Sequence, residues 1–138
     1  MLLIRNTAAV QTPVAIPAAA TKVSFDTTVM STNGTLALDD SSVAVKEPGV
    51  YDSVCQVNLT NASTSAAATV TLTAYADGQP VPGATATATI AESSQAEITL
   101  PWSTRVLPAE TGTAKLAWYL SGGAVNLTNA KARVIRVL

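Results

Sequence analysis

Residues 68–90 read ATVTLTAYADGQPVPGATATATI. Before the pair Asp77-Gly78, Val70, Leu72, Ala74 and Ala76 alternate with Thr69, Thr71, Thr73 and Tyr75. After it, Ala84, Ala86, Ala88 and Ile90 alternate with Thr85, Thr87 and Thr89. Side chains of a strand switch faces at every residue, so each run gathers its apolar groups on one side and its hydroxyls on the other. The pattern predicts half-buried antiparallel strands with a hydroxyl-rich outer face. Alanine at so many inward positions predicts close approach of a second sheet.

The same grammar extends in both directions. In Val50 to Thr60, Tyr51, Cys55, Val57 and Leu59 share one face while Asp52, Gln56 and Asn58 share the other. Turn signals recur at short intervals: Asn33-Gly34, Asp39-Asp40, Pro48-Gly49, Asp77-Gly78, Pro82-Gly83 and Gly122-Gly123. Many closely spaced strands predict an all-β, antiparallel sandwich or barrel over residues 21–138. Residues 1–20 read as an extended N-terminal arm, because Pro13, Pro17 and the run Ala18 to Ala20 support neither helix nor alternating strand. Within it Leu2, Leu3 and Ile4 form either a short strand that pairs with the domain or part of an arm that reaches a neighbour. At the other end Val134, Ile135, Val137 and Leu138 are apolar on both faces, which predicts a central strand or one buried at a subunit interface. The hexapeptide Val57-Asn58-Leu59-Thr60-Asn61-Ala62 recurs as Val125 to Ala130. Both copies are expected to be strand exits whose Asn side chains bond local backbone.

The chain has 138 residues, enough for one core without staples, and only 12% of them are charged, with a formal net charge of −1. A soluble surface ordinarily carries about 25% charged residues, so much of this one is expected to lie against other protein. Eight basic residues scattered along the chain form no footprint for nucleic acid. No apolar run approaches the roughly 20 residues of a membrane helix, and the interruption of Met1 to Ile4 by Arg5 and the prolines predicts no export signal. The four sequons at Asn33, Asn58, Asn61 and Asn126 are read as by-products of a Thr- and Asn-rich strand code.

Histidine is absent and cysteine occurs once, which removes the commonest general base, the commonest metal ligand and any intrachain disulfide. Cys55, with Val54 and Val57 close by and no nearby cation, reads as a small buried hydrophobe. Asp39-Asp40 lacks the spaced ladder of a calcium loop and reads as a turn. Glu92 and Glu97 flank a turn with no aromatic sugar platform near them, so no enzyme, cofactor or metal is expected. In Leu116 to Leu120, Trp118 shares a face with Leu116 and Leu120 and is read as core. Trp102, after Pro101, fits a strand end or an exposed rim; exposed, it would anchor an interface or stack on a sugar.

Glu47-Pro48-Gly49-Val50-Tyr51, the alternating strand after it, and Thr71 to Gly83 with its Asp77-Gly78 turn and Val81-Pro82-Gly83 step resemble the tumour-necrosis-factor-like jelly roll, including the complement globular heads and a bacterial and phage branch. The resemblance runs over residues 21–138 and ends in Arg133 to Leu138; the chain departs from it in having only 4% aromatic residues. It implies a compact homotrimer with the apolar inner sheet between subunits, and Tyr51, Trp118, Val134, Ile135, Val137 and Leu138 at the interface. With no Gly-X-Y stalk and no export signal, it further implies a phage structural protein assembled in the host cytoplasm, a capsid decoration or head-fibre component of the virion. The arm, with Leu2, Leu3, Ile4 and Arg5, would then attach it to the major capsid or another virion protein. The alternative is a receptor- or carbohydrate-binding fibre tip using Trp102.

Overall fold

The computed structural model describes residues 1–5, 14–15, 20–32, 36–106, 114–123 and 125–138. The stretch 68–90 forms β8 (Ala68–Ala76) and β9 (Gln79–Ile90), joined by the two-residue turn Asp77-Gly78. Both turn residues have positive φ, 49° and 78°, the conformation that matches a tight turn to the twist of its strands. Around this hairpin lie β1 (Leu2–Arg5), β2 (Val14–Ala15), β3 (Thr21–Lys22), β4 (Thr27–Ser31), β5 (Leu36–Asp39), β6 (Ser42–Val45), β7 (Gly49–Thr60), β10 (Gln95–Val106), β11 (Ala114–Gly122) and β12 (Asn126–Arg136).

They make two antiparallel sheets. The first runs β10-β7-β12-β1-β4 with β2 added on β12; the second runs β5-β6-β11-β8-β9 with β3 added on β11. The alternations read from sequence hold: Tyr51, Cys55, Val57 and Leu59 are buried, as are Val70, Leu72 and Ala74, while Thr85, Thr87 and Thr89 are exposed. Trp118, fully buried, meets Phe25 edge-on at 5.8 Å between ring centroids. Burial pushes the Cys55 thiol far up from its ordinary value, so it is an inert core group.

Several expectations are corrected. Pro82-Gly83 is no turn but sits inside β9, where the register shifts opposite Thr73 to Tyr75 and Gly83 takes φ 79°. A glycine with positive φ inside a strand is the signature of a bulge. The β5–β6 turn is Asp40-Ser41, one residue later than read, again with both φ positive. The second hexapeptide copy opens β12 instead of closing a strand, and the two copies pair antiparallel, Leu127 with Leu59 and Ala130 with Val57. Asn61 does behave as expected: its amide donates to the carbonyls of Ala66 and Ile90, and its oxygen accepts from the Ser63 N–H.

The N-terminal boundary also moves. Leu2–Arg5 pairs with β12 on one side and β4 on the other, burying Leu2 and Ile4 completely. The sandwich thus begins at residue 2, and the strand alternative for Leu2, Leu3 and Ile4 is the one realised. Residues 6–13 and 16–19 of the expected arm lie outside the described residues, as does the Asn33-Gly34 signal.

Candidate functional site

The first sheet turns one face to the core, and among the described residues no second layer packs on the other. Cross-strand register fixes what this outer face displays. One row runs Met30, Leu3, Arg133, Val54, Pro101 across β4, β1, β12, β7 and β10. The next runs Thr27, Arg5, Lys131, Gln56, Thr99, and on the far side of the first Ile135 stands beside Asp52 and Ser103. Leu3, Val54, Gln56, Thr99, Lys131 and Arg133 line a shallow depression at its centre. Met30 is 49% exposed, and Val29, Val137 and Leu138 are 48%, 45% and 80% exposed at the sheet's margins. An uncovered face with this apolar content is what marks interaction surfaces of folded proteins.

Its electrostatics point the same way. Arg5 and Lys131 stand directly opposite each other on β1 and β12, with Arg133 two residues along. Like charges opposite one another on a sheet destabilise it. Among the described residues the ion pairs are Lys115–Asp39 at 3.3 Å and Arg136–Glu47 at 3.0 Å, and neither draws on these three cations. Asp52 is bonded within the face to the Ser103 hydroxyl. A facing subunit that sets acceptors of its own face, such as Asp52, Gln56 or Ser103, against these cations would relieve this repulsion.

The residues singled out from sequence divide sharply. Tyr51 and Val134 lie in the core of the first sheet and Trp118 in that of the second; at 1%, 0% and 0% exposure they have no surface left to give a partner. The Tyr51 hydroxyl donates to the Glu47 carbonyl at 2.7 Å, and burial raises its pKa, opposed by nearby Arg136 and assisted by Glu47. The last strand is central, between β7 and β1, as expected; Ile135 is half-buried on its outer face, while Val137 and Leu138 are exposed beyond it. Leu2 and Ile4 are core, whereas Leu3 and Arg5 point outward into the rows just described. Trp102 shares the inward face of β10 with Ile98 and Leu100 and is half-buried against the core, leaving part of its ring at the surface. Its Nε1 and the cross-strand Ser53 Oγ are buried without a hydrogen-bond partner among the described residues. Sequence reasoning missed Val54, Pro101, Met30 and Lys131; the signal available was Val50 and Val54 sitting among the polar alternates of β7.

Comparison with solved structures decides the fold. Murine APRIL, in a crystal structure at pH 5.0, superposes with a TM-score of 0.62 at 11% identity, covering 99% of this chain and 98% of that one. The zebrafish complement 1qA globular domain gives 0.57 at 11% identity, covering 99% and 96%. This chain has the fold of a tumour-necrosis-factor-like jelly roll. The likeness covers 99% of it. No family model and no curated protein matches the sequence.

Proposed function

We propose that the chain is a non-enzymatic structural subunit that assembles as a homotrimer through the outer face of its first sheet, and that its place is a phage virion, as capsid decoration or head fibre. The observation that carries the self-assembly is that face: half-buried Leu3, Val54 and Ile135 and exposed Pro101 on adjacent strands, flanked by exposed Met30 and Val29, with no second layer over them among the described residues. The low overall charge, 12%, supports the same reading, because a surface closed between subunits needs little of it. The virion assignment rests on the sequence resemblance to the phage branch. The fibre-tip alternative would rest on Trp102, which is half-buried against the core and is the weaker carrier.

An antibody raised against the purified chain should label intact phage particles from the culture that produces it, on the head or its fibres. Label found only on unassembled protein, with bare particles, would refute the virion role while leaving self-assembly standing.

A further inference from the structure

The outer face of the second sheet has a different chemistry. Thr69 and Thr89, and Thr71 and Thr87, face each other across β8 and β9 with hydroxyl oxygens 3.1 and 2.9 Å apart, and Thr73 opposite Thr85 continues the two rows. The β8 row leads to Tyr75, whose ring lies 4.2 Å from that of Tyr119 on β11, tilted by 45°. Both rings are half-buried and border a recess completed by Lys22, Ser42, Asp77, Gly78, Lys115 and Ala117. Ser42 and Ala117 are small and buried, so the floor lies low beside the rings.

The polar groups of the recess are held in place yet keep unused capacity. Asp77 Oδ1 accepts the Lys115 backbone N–H at 2.8 Å, which leaves the carboxylate further acceptor sites. Lys22 Nζ donates to the Asp40 carbonyl at 2.8 Å and retains two of an ammonium's three donors. Lys115 is paired with Asp39. The two lysines are balanced by Asp77 and Asp39, so the recess carries no net charge with which to select an ion. An apolar aromatic wall, fixed donors and acceptors in one shallow site, and hydroxyl rows leading away from it suit a ligand with both faces: a ring of C–H groups edged by hydroxyls.

The geometry points to a binding site for neutral carbohydrate, with a sugar ring against Tyr75 and Tyr119, its hydroxyls on Asp77 and Lys22, and an oligosaccharide continuing along the threonine rows. The site lies on the sheet opposite the self-association face and does not rest on that reading; it stays open in a monomer or a trimer. The test is a titration of the full-length, ¹⁵N-labelled chain with neutral gluco-, galacto- and N-acetylglucosamine hexasaccharides, and with a heparin hexasaccharide as charged control. At least one neutral sugar should shift the amides of Tyr75, Asp77, Lys115 and Tyr119 at up to about 10 mM, and Tyr119→Ala should weaken it about tenfold or more. Asp77→Asn, which keeps the Lys115 contact and tolerates the turn, serves as second variant should Tyr119→Ala unfold, and is expected to weaken binding as well. Shifts from no neutral sugar, shifts centred elsewhere, tighter binding of heparin at these residues, or unchanged affinity in a folded variant would each overturn the proposal.

Discussion

At the scale of single residues, the core is specified by a few large groups among many small ones. Trp118 is the largest fully buried side chain among the described residues, surrounded by a core rich in Ala and Val, so little nearby can collapse into the space it fills. Trp118→Ala is expected to cost about 3–5 kcal/mol in urea denaturation, with Phe25 losing its edge contact. Cys55 makes a second prediction. Its folded pKa lies above the unfolded value of about 8.5, so the folded state holds its proton where the unfolded chain has released it, and stability falls as pH rises above about 8.5. Tyr51, also raised, adds to the loss above about pH 10. Denaturation midpoints should therefore decline from pH 8 to 11, and Cys55→Ala should flatten the first part of that decline. An equal slope in the variant would assign it elsewhere.

At the scale of elements, bulges and strand ends carry information that alternation does not. Gly122, φ 126°, ends β11 against the Thr69 and Val70 backbone, where an added Cβ would collide; Gly78, φ 78°, has open space around it. Gly78→Ala should cost roughly 1–2 kcal/mol from backbone conformation alone, and Gly122→Ala clearly more, measured by thermal melts of the two variants side by side. Deleting residues 1–5 should not release a detachable arm. It removes a central strand and the burial of Leu2 and Ile4, each worth about 1.5–3 kcal/mol, and near-wild-type stability in the truncated chain would contradict the pairing of β1. The hairpin β8–β9 was legible in the sequence because residues 68–76 and 84–90 keep a period of two and Asp77-Gly78 favours a tight turn. Pro82-Gly83 was misread because a bulge and a turn call for the same residues. β1 stayed ambiguous because four residues are too few to show a period. The Tyr75–Tyr119 pair was not legible at all, since it depends on the register between β8 and β11.

At the scale of the whole molecule, the sandwich presents two unlike outer faces: one with apolar rows and three crowded cations, the other with hydroxyls and a neutral aromatic recess. Composition announced that some surface must be covered but not which one. The resemblance placed Tyr51, Trp118 and Val134 at a trimer interface, yet a protomer fills its own core first, as the residues around Trp118 had indicated. What remains for assembly is the apolar residue in a polar register, Val54 foremost. Val54→Glu places a carboxylate opposite Arg133, a pairing the isolated sheet tolerates, while putting a charge into the centre of the proposed interface. The most direct test is the solution mass of the purified chain by light scattering, wild type beside Val54→Glu. The account predicts three times the 14.1 kDa protomer for the wild type and the protomer mass for a folded Val54→Glu. A wild type that stays at the protomer mass across the accessible concentration range, or a Val54→Glu that remains trimeric, would contradict it.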